Sequence, residues 1–395
     1  MDLKNSLIEE SKSIEQYVIE TRRHIHMYPE TKYEEENTAQ FIEEELHKIG
    51  YETVRTAKTG VIAVLEGDTE GKTVALRADT DALNIQEEND VPYKSKIPGK
   101  MHACGHDSHV AMLLGAAKIL YKHKDKLSGK VKLIFQPAEE GGGGAAKIVE
   151  EGHLDDVDSI FGIHVWRELE AGIIGTRSGP FLASADQFRI TIKGKGGHAA
   201  SPQQTFDPTA VLPDIYNAIQ KIVSREIDPL EKAVISIPMI SGSDAHNIIP
   251  SEASMEGTFR TFSNDVRDFI IKRITEIVEG YSHAWRCEGK AEFEIDGIYY
   301  PPTINHKESV DNLKEILKPL DEVQEADLTM GGEDFAFYLN KTKGAFIALG
   351  LHNEDKGIIH PHHHPKFNVD EDSLWKGTAI YSLLGFYYVF LNSQK

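Results

Sequence analysis

The spacing of apolar residues changes period along the chain, and the changes mark out its elements. Over residues 1–50 the period is helical. Ala39, Ile42, Leu46 and Ile49 share one face, Gly50 is a natural stop, and two helices are predicted around a turn at Arg22–Glu30 marked by Pro29. Strand-like runs follow at Gly60–Leu65 and Thr73–Arg77. A central helix is then predicted, with Asp107 placed to cap it and Val110, Leu113, Leu114, Ala117 and Leu120 as its apolar stripe. Strands at Lys130–Phe135 and Ser159–Val165 come next. Near residue 183 the pattern turns to alternation, in strands at Asp186–Lys195, Ala233–Ser241, Ala253–Phe262 and Lys290–Asp296 with helices at Asp207–Val223 and Asp265–His283 between them. That β-α-β-β-α-β order predicts an inserted ferredoxin-like domain over 184–296. The α/β pattern resumes at about 297, with Glu333 and Asp334 at a helix start, a core strand at Gly344–Leu351 and a terminal helix. Residues 1–183 and 297–395 are expected to form the second, α/β domain.

Composition narrows the class. At 395 residues, two domains are the prior, and 40% hydrophobic with 27% charged residues describes a globular protein. The net charge of −20 argues against nucleic acid or an anionic membrane surface as partner. The N-terminal MDLKNSLIEESKSIEQ is polar and acidic, unlike a secretory leader, so a cytoplasmic location is expected. Two cysteines, Cys104 and Cys287, cannot make a disulfide framework.

Cys104 lies in the densest chemistry of the chain. Met101–His109 (MHACGHDSH) packs a cysteine, three histidines and an acid into nine positions between an extended and a helical stretch. Thiolate with imidazole suits zinc and neighbouring divalent metals; a buried structural cysteine beside surface histidines is the bland alternative. Asp79 and Asp81, in RADTDAL, stand at a strand end, where they can ligate metal, orient a ligand or cap a turn. Glu139 and Glu140 end another strand before a glycine run (QPAEEGGGGA). One such carboxylate can bind metal while its neighbour acts as general base on a metal-bound water. A phosphate-cradling loop is rejected, because no Lys-Ser/Thr follows the glycines. His164 closes a fourth strand end. Four successive strand ends thus deliver Asp79, Cys104/His106, Glu139/Glu140 and His164. His24 and His26 read as packing residues. In the inserted domain, His198 sits on a glycine-flanked loop, His246 and Asn247 on another, and Arg260 on a strand from which it can pair a carboxylate. Ile358–Phe367 (IIHPHHHPKF) adds four histidines and a candidate last ligand.

Together RRHIHMYPE, LRADTDAL, MHACGHDSH, FQPAEEGGGG, GIHVW, KGGHAASP, HNIIP, GGEDF and HHPKFNVDED resemble the M20 metallopeptidase family, spanning residues 22 to about 372 in the family order. The likeness is to its amidohydrolase and carboxypeptidase branch, which includes hippurate hydrolases, indole-acetyl-amino-acid hydrolases and N-acyl-amino-acid deacylases. It implies a di-metal α/β catalytic domain, a mixed sheet flanked by helices, with an inserted ferredoxin-like α+β lid used for dimerisation. It further implies metal ligation by Cys104, His106, Glu140, His164 and a last histidine. The family's His-x-Pro pattern selects His363, with His362 and His364 still open in so histidine-rich a run. Glu139 matches the general base, Asp79 an acid that orients the metal site, and His198 a lid histidine that polarises the scissile carbonyl, in the partner subunit's site. Asn247 and Arg260 match positions that hold the substrate's carboxylate. Gln203 stands where the family often has histidine, which puts lid contacts there in doubt.

The implied reaction is metal-dependent hydrolysis of an amide bond in an N-acyl amino acid or at a peptide C-terminus, by a homodimer or homotetramer. Two divalent ions per subunit are implied; zinc suits the donors best, with manganese, cobalt or nickel as alternatives. Three rivals are weighed against it. A Cys104 thiol hydrolase is disfavoured by the ligand-type residues at the other strand ends. A non-catalytic binder of amino-acid conjugates should lack Glu139 or a ligand, and neither is missing. A structural zinc site prefers paired cysteines, and Cys104 has no near partner.

Overall fold

The computed structural model describes residues 3–295 and 299–391, with side chains to residue 388. Two compact units emerge: Met1–Phe181 with Ile304–Asp327 and Asp334–Lys395, and Leu182–Thr303 with Leu328–Glu333. The expected strand end at Asp296 and the expected boundary at 296/297 lie outside the described residues.

The first unit begins with three helices, α1 (Leu3–Ser13), α2 (Glu15–Met27) and α3 (Glu36–Ile49). Two were expected, and RRHIHM belongs to α2, not to a turn. The sequence misleads here because Arg22 and His26 are polar yet buried, their partners lying far along the chain. Gly50 closes α3 in a left-handed conformation, φ 117°. There follow β1 (Thr53–Thr56), β2 (Gly60–Glu66), β3 (Thr69–Asp79), α4 (His106–Lys122), β4 (Ser128–Gln136), α5 (Gly144–Glu150), β5 (Ser159–Glu170) and β6 (Ile174–Thr176).

The second unit holds β7 (Asp186–Lys193), α6 (Pro208–Lys221), β8 (Ala233–Ser241), β9 (Glu252–Thr261), α7 (Asn264–Ala284) and β10 (Glu288–Phe293). Its sheet runs β8-β9-β7-β10, every pairing antiparallel, which is the ferredoxin-like order. Ile215 and Ile219 of α6 and Ile270 and Ile274 of α7 share one core with Phe188, Ile190 and Ile192.

The chain then completes the first unit with α8 (Lys307–Leu317), β11 (Val323–Glu325), α9 (Ala336–Lys341), β12 (Lys343–His352) and α10 (Leu374–Leu391). The eight strands order as β1-β2-β4-β3-β5-β12-β6-β11. The central run β4-β3-β5-β12 is parallel, so its strands are buried on both faces and read as continuous apolar runs. Parallel alignment brings the C-terminal ends of β3, β4 and β5 to one edge, where open α/β sheets place their chemistry. Among the described residues, no helix is long and apolar enough to cross a membrane.

Arg77 locks that edge together. Wholly buried in β3, it donates from Nη1 to Asp79 (2.8 Å), from Nη2 to Asp334 (3.0 Å) and from Nε to Gln136 (2.7 Å). Asp334 was expected to start a helix. It stands two residues before α9, its carboxylate also accepting from Gln136 Nε2 and the Ala145 amide, because a buried acid takes the strongest donors within reach. Arg77→Leu should leave two carboxylates buried without their cation and lower stability by about 3–5 kcal/mol, read as a lower urea midpoint.

Candidate metal centre

The site begins where MHACGHDSH turns into α4. Gly105 takes φ 96°, and a Cβ there would fall 2.4 Å from Val165 Cγ2, so only glycine lets the turn sit against β5. Gly105 is also the residue preceding the helix, and Asp107 does not cap it. One oxygen of the Asp107 carboxylate accepts from Arg22 Nε and His26 Nδ1, both at 2.7 Å, and the other accepts the Ser108 amide at 2.9 Å. A buried ionised acid takes a guanidinium as its main partner, since charge-assisted bonds are the strong ones.

His106 opens α4 with both ring nitrogens assigned. Its Nδ1 lies 2.8 Å from the Asp81 carbonyl oxygen, a bond that requires a proton on Nδ1, while buried Nε2 has no hydrogen-bond partner. His164, on β5, repeats the device. Its Nδ1 donates to the Val165 carbonyl at 2.6 Å, and Nε2 lies 3.5 Å from Cys104 Sγ. In each ring the backbone fixes the tautomer and leaves a lone pair facing other donors, as metal-ligating histidines are held.

The turn after β4 supplies the carboxylates. Ala138 adopts φ 57°, a strained value for a residue with a side chain, and Gly144 passes so close to Pro137 O that a Cβ would meet it at 1.7 Å. Asp81 accepts the Glu139 amide on one oxygen (3.0 Å) and the Glu140 amide on the other (2.9 Å). Glu35 accepts the Ala138 amide (2.9 Å) and the Thr59 hydroxyl (2.6 Å). The backbone under the two glutamates is thus pinned by two acids.

Ligand-type atoms converge in overlapping groups: Cys104/His106/His164, Cys104/Glu140/His363, His106/Glu139/Glu140 and Asp79/His106/His109. Within the histidine run, three roles separate. His363, at φ 63°, places Nε2 3.1 Å from Glu140 Oε1 and donates its amide to Ala103 O. His362 packs edge-on against the His164 ring, and His364 stacks on His360. Asp79 is buried against Arg77 and His109, with Oδ2 3.5 Å from His106 Nε2.

His198, Asn247 and Arg260 belong to the second unit. His198 pairs with Ile248 in a two-strand ladder, and Ala199 donates to the Asn247 carbonyl, so those two are neighbours. Arg260, half-buried on β9, donates to Ser184 O at 3.3 Å, and burial lowers its pKa.

The donor set fits a divalent cation. Burial opposes charge on His106, yet Asp79 and Asp81 lift it to about 10, so without an ion a second proton stands on Nε2, in the place where a divalent cation would take that nitrogen's lone pair. Burial, then the carboxylates of Glu140, Glu139 and Asp79, push the Cys104 thiol up, which works against a Cys104 nucleophile. Sequence reasoning passed over His109 and Arg77 and took Glu34–Glu36 for a solvated acidic helix face, whereas Glu35 is fully buried. His109 donates to Asp79 and accepts the Val165 amide at 2.9 Å, tying β3 to the His164 strand. A histidine three positions after His106, on the same helix face, was the available signal.

Imidazole, thiol and carboxylate donors gathered at the C-terminal edge of a mixed sheet, with a spare carboxylate beside them, define a metal-dependent hydrolase. The chain belongs to peptidase family M20/M25/M40, which it matches over residues 75–385. It is 43% identical to thermostable carboxypeptidase 1 of Saccharolobus solfataricus, over 97% of this chain and 98% of that protein. To the N-acetyl-L-cysteine deacetylase of Bacillus subtilis it is 40% identical, over 93% and 86% respectively. The crystal structure of Bacillus subtilis YxeP, described as a dinuclear metal binding peptidase, superposes with a TM-score of 0.84 at 34% identity, covering 96% of this chain and 99% of that one. The activity is accordingly metal-dependent amide hydrolysis of the amidohydrolase and carboxypeptidase kind.

Burial raises Glu35 from 4.5 to about 7. Between those values the folded protein keeps a proton that the unfolded chain has lost, so stability should fall as pH rises from about 4.5 to 7, by on the order of 3 kcal/mol. Glu35→Gln keeps an acceptor for Ala138 and should remove that part of the decline, read by urea denaturation at pH 5 and pH 8.

Proposed function

We propose that the protein hydrolyses the amide bond of N-acyl amino acids or of a peptide's C-terminal residue. Two zinc ions would be held by Cys104, His106, Glu140, His164 and His363, with Asp79 orienting the site. The observation that carries this reading is the convergence of those donors in one unit, with two imidazoles already in the tautomer a ligand needs. Bound there, the ions supply Lewis acidity that brings a water's pKa toward neutrality.

Glu139 takes the proton of the attacking water and delivers it to the leaving amine, a step for which its backbone is fixed by Asp81. His198 polarises the scissile carbonyl, and its exposure on the short ladder with Ile248 supports that role. Asn247 and Arg260 hold the substrate's free carboxylate. A half-buried guanidinium binds a carboxylate more strongly than a fully hydrated one, which supports Arg260. The second unit then acts as a lid and dimerisation domain in a cytoplasmic homodimer or homotetramer.

Release of amino acid from N-acetyl, N-benzoyl and blocked-dipeptide substrates should stop after chelation and return with zinc, manganese or cobalt. Glu139→Gln should lower kcat by about 10²–10⁴-fold while still binding metal. Activity indifferent to both treatments would sink the mechanism. Arg260→Ala should raise KM for substrates with a free carboxylate and leave their amidated analogues unaffected, read from initial rates on matched pairs.

A further inference from the structure

Arg22 lies outside the donor cluster and is wholly buried, its guanidinium spread over three segments of the first unit. Nε donates to Asp107 (2.7 Å), the residue after His106. Nη2 donates to Asn368 Oδ1 (3.2 Å) and Nη1 to Glu371 (3.1 Å), both on the segment that follows the histidine run. The Tyr93 ring lies 4.9 Å from the guanidinium carbon, and its hydroxyl accepts from Asn368 Nδ2 at 3.3 Å. His26, one turn along α2, donates from Nδ1 to the same Asp107 oxygen and reaches Glu87 from Nε2 at 3.3 Å. Residues 87–89 grip the histidine segment in turn: Asn89 donates to Phe367 O at 2.9 Å and the Glu88 amide to Pro365 O at 2.9 Å.

The two ends of this network carry ligands. Cys104 and His106 precede Asp107 directly, and His363 lies on the loop that Asn368, Pro365 and Phe367 anchor. Within the site the His363 amide ties those loops backbone to backbone by donating to Ala103 O, at a residue whose φ of 63° is unfavourable. A loop under local strain keeps its shape only if its surroundings fix it, and Arg22 is the cation that joins its far side to the α4 turn.

We propose that Arg22, acting through Asp107 and Asn368, is a positioning residue for the metal centre: it holds the His363 loop against the Cys104–His106 turn and so sets how tightly the ion held by His363 is bound. This rests on the metal-ligand reading above. Groups hydrogen-bonded to metal ligands commonly carry 10–100-fold in affinity; Arg22 and Asn368 stand one step further out, so about tenfold is expected here.

The test is metal binding, with zinc competed against a chromophoric chelator, on wild type, Arg22→Lys and Asn368→Ala, each with a thermal melt. Asn368→Ala removes a neutral side chain, keeps the Arg22–Asp107 pair, and serves if the lysine variant does not fold. The expected result is two ions on wild type, and a folded Asn368→Ala in which one ion binds at least about tenfold more weakly while the other is unchanged. Arg22→Lys, where folded, should weaken the same ion, since lysine cannot bridge Asp107 and Asn368 together. Folded variants with wild-type affinity for both ions would overturn the inference and leave the metal reading standing. Wild type without divalent-ion binding would overturn both.

Discussion

Everything at the active edge depends on keeping several carboxylates buried together. Asp79, Asp334 and Asp107 are fully inaccessible, and Asp81 and Glu139 nearly so. A low-dielectric interior does not tolerate such a collection unless each charge meets a cation or a set of donors. Two arginines divide the work. Arg77 neutralises Asp79 and Asp334 inside the sheet, and Arg22 meets Asp107 behind α4. Asp81 is satisfied by backbone amides. What remains is the group gathered around His106 and Cys104, whose charge and donor types are those a divalent ion satisfies.

The same edge brings two neighbouring carboxylates to one place. Glu139 and Glu140 are adjacent in sequence and share one carboxylate under their amides, and both bring an oxygen to the His106 group, with Glu140 also meeting His363. The positive φ of Ala138 and of Gly141 on either side of the pair takes the chain out of the strand there. A regular strand would have pointed the two side chains into opposite layers of the sheet.

Much of this was legible in the sequence. Period changes gave most of the strand and helix order, missing one N-terminal helix and the short strands at 53–56, 174–176 and 323–325, and the inserted unit's β-α-β-β-α-β pattern was readable because its antiparallel strands alternate cleanly. Asp79, Glu139, Glu140 and His164 stood out near the ends of apolar runs, while Cys104 and His106, expected at a strand end too, lie at the start of α4 with no strand directly before them. The supporting residues did not. Arg22 sits in a polar string that looks like a turn, Asp107 stands where a helix cap belongs, and Asp334 precedes a short helix. Each is polar, buried and paired with a residue tens to hundreds of positions away. Local pattern carries no information about such pairs. The histidine run was ambiguous for a related reason: backbone conformation, not residue type, separates His363 from His362 and His364.

The place of β12 in the sheet has a consequence for how the protein is made. It lies between β5 and β6, yet it follows the whole of Leu182–Thr303 in the chain. As the polypeptide leaves the ribosome, the inserted unit's main segment is finished while β5 still presents a bare, apolar parallel edge. That edge closes only when residues 343–352 emerge, and α10 follows later still. Cys104 and His363 are separated by about 260 residues, so no nascent chain short of the histidine run holds the full set of proposed ligands. The nascent protein therefore passes through a long interval with an exposed sheet edge, during which a chaperone or early completion of the inserted unit has most to protect.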